Sequence, residues 1–236
     1  MAKSKSGGGQ KRADAGLKTR VKTSRGRKLS STLWLERQLN DPYVKRARAE
    51  GYRARAAYKL IEINEKYDLL KPGLLVVDLG CAPGGWLQVA AREARSTDAE
   101  PLVVGMDYLD VDHVPGTIVL KKDFTDPDAP EQLVAALRGR KADLVLSDMA
   151  APTTGHKATD HLRIIALVEL AAEFARQVLA PGGTFVAKVL KGGTEHELLA
   201  GLKRDFASTF HAKPPASRSD SAETYLVARG FRGQSE

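Results

Sequence analysis

Val76 to Trp86 reads VVDLGCAPGGW. An apolar, β-branched run meets an acid, Asp78. It then breaks into a turn holding Gly80, Gly84, Gly85, a proline and the chain's single cysteine, Cys81. A strand that runs into a glycine turn and out into an apolar helix is the opening unit of a parallel α/β sheet. The sequence on either side repeats the alternation. LLVVDLG (74–80), LVVGMD (102–107), TIVLKKD (117–123), ADLVLSD (142–148) and TFVAKVL (184–190) are apolar runs of strand length. Helical patterns stand between them at WLQVAAREA (86–94), PEQLVAALRG (130–139) and the long amphipathic 161–183, which ends in Pro-Gly-Gly. A further helix is predicted over 196–206. STFHAKP (208–214) and TYLVARGF (224–231) then close the chain as an antiparallel hairpin. Strands apolar throughout require a sheet covered on both faces. The fold class is therefore α/β, Rossmann-like, with seven strands, mostly parallel, and an antiparallel hairpin at the C-terminus.

Upstream, SSTLWLERQLN (30–40) predicts a short helix behind a serine cap. Helical spacing of Tyr52, Ala56, Lys59, Leu60 and Ile63 predicts another, stopped by Lys71-Pro72-Gly73. The charge is concentrated at this end. Residues 1–30 carry ten Lys/Arg against Asp14, and residues 31–59 seven bases against three acids. The net charge of +8 thus belongs to the N-terminal quarter, and residues 60–236 sum to −5. The simplest partition is a basic, unstructured arm over 1–29 and one domain over 30–236. Such an arm fits nucleic acid, or serves only solubility, and composition leaves both readings open. Between Lys45 and Lys59, Arg46, Arg48, Arg53 and Arg55 alternate with Tyr52 and Tyr58, behind Tyr43. That mixture suits phosphate contacts and base stacking, or else a solvated helix face. The N-terminus lacks the apolar segment of a secretory signal, and no apolar run reaches membrane-spanning length. One cysteine makes no internal disulfide. A cytoplasmic protein is expected.

In a doubly wound sheet, ligands sit outside the carboxyl ends of the strands. This sequence places Asp78, Asp107, Asp123 and Asp148 there, with Lys188 near the end of the fifth strand. The turn GCAPGGW lacks the G-x-G-x-x-G spacing of a pyrophosphate cradle, and its proline removes an N–H donor. A ligand without phosphate is implied. Asp107 is placed to accept both hydroxyls of a ribose, and Asp123 an adenine amino group. Gly80, Gly84, Gly85 and Trp86 lie beside an amino-acid moiety, and Asp148 completes the wall. Those demands describe S-adenosylmethionine, whose cationic sulfonium suits a rim of carboxylates. Any one aspartate could instead be capping a helix; the set together with the glycine turn argues for a site. Five histidines at 113, 156, 161, 196 and 211 show no ligand spacing, so no metal is expected. Cys81 reads as small apolar filler more readily than as a nucleophile, since no base stands near it in sequence.

DLGCAPGGW followed by GMD, KKDFTD, LSDMA and VAKVL resembles the FtsJ/RrmJ family of ribosomal RNA ribose 2′-O-methyltransferases, over about Trp34 to Arg229. The resemblance implies a catalytic Lys–Asp–Lys–Glu set on Lys59 in RARAAYKL, Asp148, Lys188 and Glu223 in SAETYLVA. It also implies transfer of a methyl group to a uridine of large-subunit ribosomal RNA, within an assembled particle, by a monomer. SDMAAPTTG departs from the family's pattern by one extra alanine, which shifts the loop after Asp148. In this reading Lys188 is the base and Asp148 aligns it; Lys59 supplies a second cation and Glu223 orients the amines. A lone strand lysine can also be a snorkelling stem with a solvated head. Three other functions share parts of the pattern: a tRNA or mRNA-cap ribose methyltransferase, a non-catalytic ribosome-assembly factor, and, least suited to the proline-bearing turn, a nicotinamide oxidoreductase.

Overall fold

Each apolar run becomes a strand, and strand order fixes where the ligand crevice falls. The computed structural model describes residues 29–191 and 196–233. The proposed arm, 1–29, lies outside these residues but for Leu29. The seven strands are β1 (Val76–Leu79), β2 (Val103–Asp107), β3 (Thr117–Lys121), β4 (Ala142–Ser147), β5 (Leu179–Leu190), β6 (Phe206–Ala212) and β7 (Glu223–Phe231). Their order across the sheet is β3-β2-β1-β4-β5-β7-β6. Strands β1 to β5 pair in parallel, and β7 runs antiparallel between β5 and β6. The predicted hairpin is therefore present, with its second strand inserted against β5. Chain order reverses between β1 and β4, which opens the crevice beside the glycine turn.

Helices cover both faces. α3 (Ala57–Tyr67) and α4 (Gly85–Ala94) share one core with Val76, Val103, Leu144, Val186 and Tyr225. α5 (Ala129–Ala136), α6 (Lys157–Val178) and α7 (His196–Asp205) share the other with Val77, Val145, Phe185 and Leu226. Alternation along each strand divides the two cores, as the two-residue period of a pleated strand requires.

The chain divides into compact units after Lys45. Before that point lie α1 (Leu29–Asn40) and the first turn of α2 (Pro42–Ala49), where Asp41 Oδ1 caps α2 by accepting the Tyr43 N–H at 3.0 Å. Several boundaries differ from the sequence reading. α1 already includes Leu29, so Ser30 lies inside it rather than capping it. Gly51, at φ +77°, separates α2 from α3. α6 begins at Lys157, earlier than 161, because Asp160 accepts the Thr154 and Gly155 N–H groups and ties the incoming loop to the first turn. It stops at Val178, before the predicted 183. Pro181 brings no N–H and disfavours helical geometry at Ala180, so Leu179 onward joins β5.

Candidate active site

The two-residue period that builds the core also gathers the polar groups. Asp78 follows Val76, Lys188 follows Val186, and Glu223 precedes Tyr225 by two, so all three project to the face carrying α3 and α4. Asp148 is the first residue beyond β4, on the same alternation as Leu144 and Leu146. Lys59 comes down from α3. One sheet face thus receives every member of the set Lys59, Asp148, Lys188 and Glu223.

They form two largely buried ion pairs bridged by an aromatic ring. The Lys188 amine donates to the Asp148 carbonyl oxygen at 2.6 Å and stands 3.2 Å from Asp148 Oδ1. Lys59 Nζ meets Glu223 Oε2 at 2.8 Å, and Ser217 Oγ donates to Glu223 Oε1 at 2.8 Å. Tyr225 faces Lys188 in the β5–β7 register, donates its hydroxyl to Asp148 Oδ1 at 2.9 Å, and lies 5.9 Å beneath Lys59 Nζ. Burial, reinforced by the charges of Asp148 and Glu223, holds the Tyr225 hydroxyl well above its ordinary pKa, so it remains a donor. Sequence reasoning passed over Tyr225 and Ser217. Tyr225 was recoverable, because a residue two from Glu223 on a strand shares its face.

Asp148 also belongs to a second region. A cavity of about 760 Å³ opens at the β1–β4 switch point, lined by Gly80, Asp107, Asp123 and Asp148 with Tyr108 and Met149. Gly80, at φ +78°, is required twice over: a Cβ there would come within 2.9 Å of the Met149 backbone. Asp107 ties the two loops of the cavity together. Its Oδ2 accepts the Ala82 N–H at 2.9 Å and its Oδ1 the Leu109 N–H at 2.9 Å. A second lone pair on each oxygen is left for a ligand. Asp123 lies beyond the end of β3, and hydrogen bonds from the Thr125 N–H and hydroxyl hold its carboxyl below the usual range. Lys122, also on the wall, is turned to Asp126 and Asp128 at 3.2 and 2.8 Å.

Gly84, Gly85 and Trp86 are not on the cavity wall. Trp86 is buried against Tyr225, with ring centroids 5.6 Å apart, and its indole N–H donates to the Ala56 carbonyl at 2.8 Å. Its side chain is therefore part of the packing of α4 on α3. Cys81 is buried too, and desolvation followed by the neighbouring Asp78 and Asp107 raises its pKa, which leaves it an unreactive thiol. Asp78 is fully buried, with neither carboxylate oxygen hydrogen-bonded among the described residues. Burial, then Asp148 and Asp107, pushes its pKa well up, which favours the neutral acid in the core.

The tyrosine and arginine pattern around Lys59 needs correction. Tyr58 is 1% exposed, in an edge contact with Tyr52, and cannot stack on a base. Arg55 donates to the Ala216 carbonyl at 2.5 Å, and Arg53 to backbone carbonyls of 83, 112 and 113. These two guanidiniums serve the fold. Lys45, Arg46 and Arg48 are exposed. Among the described residues, no group of three or more His, Cys, Asp and Glu is placed to hold a metal.

A parallel sheet with an antiparallel seventh strand inserted beside the fifth, and an acid-lined crevice at the switch point, defines a Rossmann-like methyltransferase. The family model described as FtsJ-like methyltransferase matches residues 52–231. The chain belongs to that family. It is 63% identical over 220 residues to "Ribosomal RNA large subunit methyltransferase E" of Azorhizobium caulinodans, covering 93% of this chain and 91% of the relative. A protein of the same name from Paramagnetospirillum magneticum is 60% identical over 98% of this chain and 95% of its own length. The crystal structure of a candidate ribosomal RNA methyltransferase from Plasmodium falciparum superposes with a TM-score of 0.67 at 32% identity, over 78% of this chain and all of that one.

Proposed function

We propose that this methyltransferase uses S-adenosylmethionine to methylate the ribose 2′-hydroxyl of a uridine in large-subunit ribosomal RNA. One observation carries the reading: Asp148 is both a wall of the acid-lined cavity and the anchor of the Lys188 amine. A group transferred from the cavity is thereby delivered next to a positioned lysine. The donor set fits the cofactor. Three carboxylates suit a cation, Asp107 keeps two lone pairs for a ribose, and the proline-bearing turn is a poor phosphate cradle. S-adenosylmethionine supplies an electrophilic methyl on a sulfonium, and the chain's residues do the rest.

Two of the tetrahedral positions of Lys188 Nζ are directed at Asp148, to its carbonyl and carboxylate oxygens. The remaining position faces the acceptor. There the amine, in its unprotonated form, would take the 2′-hydroxyl proton, while bound S-adenosylmethionine would supply the methyl group. Tyr225 donates to the same Asp148 Oδ1 that the amine approaches, which holds the carboxylate in place for it. Lys59, compensated by Glu223, borders the same face and is a contact for the acceptor's sugar or phosphate. Alignment of hydroxyl, methyl and sulfur supplies much of the rate.

The high identity to proteins named for large-subunit ribosomal RNA supports that substrate. The basic N-terminal quarter supports a polyanionic partner, with residues 1–29 as an arm on an assembled subunit. The protein acts as a monomer in the cytoplasm in this reading. Labelled methyl transfer to free large-subunit RNA, assembled large subunits and tRNA tests it. The expected result is label in the large subunit, at a linkage that resists alkaline cleavage because its 2′-oxygen is blocked. Label on a base, or only on tRNA, would refute it.

A further inference from the structure

Two of the loops that line the cavity are the glycine turn after β1 and the segment after β2. Asp107 joins them at the inner end. At the outer end the join is made by a residue from neither loop. Arg53, between α2 and α3, donates Nη1 to the Asp112 carbonyl at 2.6 Å and to the Pro83 carbonyl at 3.4 Å, and Nη2 to the His113 carbonyl at 2.6 Å. One guanidinium thus reaches three carbonyls in both loops. The planar fork of arginine does this; a lysine ammonium, as a point charge, does not hold the same geometry.

The surroundings are shaped to admit it. Gly84 sits at φ +107°, and a Cβ there would come 2.8 Å from Arg53 Nη1 and 3.2 Å from its Cδ. Val114, at the end of the second wall, would meet that same Cβ at 3.1 Å. Arg53 is itself aimed from behind. Its backbone N–H donates to Gln88 Oε1 at 2.9 Å, and Gln88 Nε2 donates to the Gly51 carbonyl at 3.0 Å. Gln88 is on α4, the helix that leaves the glycine turn. A closed path therefore runs from turn to helix α4, through Gln88 to Arg53, and back to the turn and to the loop after β2.

We infer that Arg53 is a positioning residue for the cofactor: it holds the glycine turn and the 108–114 segment at the spacing that lets Asp107, Tyr108 and Leu109 close on the adenosyl group. This rests on the S-adenosylmethionine reading above. Its role is in affinity for the cofactor rather than in the transfer step, because its guanidinium contacts are to the backbone of those two loops and not to the Lys188 pair. The three carbonyls also explain why Arg53 is not the phosphate contact that its place in RARAAYK suggests.

The test is titration of the full-length protein with S-adenosylhomocysteine in the absence of RNA, for wild type, Arg53→Ala and Arg53→Lys, with methyl-transfer kinetics beside it. Wild-type binding comes first; if it is absent, the cofactor reading fails and the inference with it. Given that binding, Arg53→Ala should raise Kd and the KM for S-adenosylmethionine about tenfold, with kcat within about twofold. Arg53→Lys should recover part of the affinity, about threefold, through a single carbonyl. Unchanged melting temperature for the lysine variant keeps the comparison free of misfolding. Wild-type Kd in both variants would overturn the inference. So would an unchanged cofactor Kd with weaker RNA binding and a shallower salt dependence, the signature of a phosphate contact.

Discussion

The two halves of the site meet at Asp148 and are built on opposite plans. On the cavity side, acids are held by backbone N–H groups and keep lone pairs open: Asp107 through Ala82 and Leu109, Asp123 through Thr125. On the lysine side, every charge is already paired with another side chain, Lys188 with Asp148 and Lys59 with Glu223, and the groups are nearly buried. A binding surface needs vacant acceptors that a ligand can satisfy. A reacting group needs a fixed direction and exclusion of competing water, which costs desolvation but spares reorganisation during the step. The difference teaches that affinity and rate should be separable here by mutation.

The largest separation is expected from Lys188→Met. It removes the amine and keeps the stem, so single-turnover methyl transfer should fall by about 10²–10⁴-fold. Calorimetry should find the cofactor Kd within about twofold of wild type. The opposite pattern is expected from Asp107→Ala. Two charge-assisted contacts to a ribose are lost, so Kd should rise about 10²-fold. The rate at saturating cofactor should change far less. Tyr225→Phe removes the hydroxyl that bonds Asp148 Oδ1 and also interacts with Glu223. Its cost, about 1.5–3 kcal/mol for a bond to a charged group, should lower kcat about 10- to 10²-fold and leave the cofactor KM alone. A kcat equal to wild type would mean that Asp148 is positioned without the tyrosine.

The smallest effect tests the floor between the two halves. Burial raises the Asp78 pKa in the folded chain, whereas in the unfolded chain it ionises near the ordinary carboxyl value of 3.8. Above that pH the folded state binds the extra proton, so wild-type stability declines as pH rises until the buried carboxyl itself ionises. Asp78→Asn has nothing to ionise. Its melting temperature should match wild type below about pH 4 and exceed it by a few degrees at pH 7. A gap independent of pH would show that Asp78 is not a neutral acid in the fold.

Much of this was legible in the sequence, for reasons of distance along the chain. Strand, turn and acid are neighbours in DLGCAPGGW, GMD, KKD and LSD, so local pattern places Asp107, Asp123 and Asp148 at one rim without tertiary knowledge. The carboxyl-end rule then supplies the cavity. The lysine set was assigned through family resemblance; that Lys188 and Glu223 share a face follows from the β5–β7 register, which the sequence does not show. What escaped depends on contacts across the fold. Arg53 and Tyr58 look like RNA-facing residues in RARAAYK because sequence gives their composition but not their direction. Only the packing of α3 on α4 turns Tyr58 inward and sends the Arg53 guanidinium to the carbonyls of 83, 112 and 113. Trp86 was read as beside the ligand because it follows the turn; helix α4 rotates its indole to Ala56. Pro181 was taken as a helix stop, yet it acts several residues earlier, through the restriction it places on Ala180.

The central claim is that Asp148 joins a cofactor cavity to the amine that takes the acceptor's proton. Single-turnover methyl transfer from labelled S-adenosylmethionine to large-subunit RNA, with Lys188→Met compared with wild type at saturating cofactor, tests it most directly. The account predicts a loss of about 10²-fold or more in the transfer rate, with unchanged cofactor affinity. Transfer at the wild-type rate by the methionine variant would contradict it.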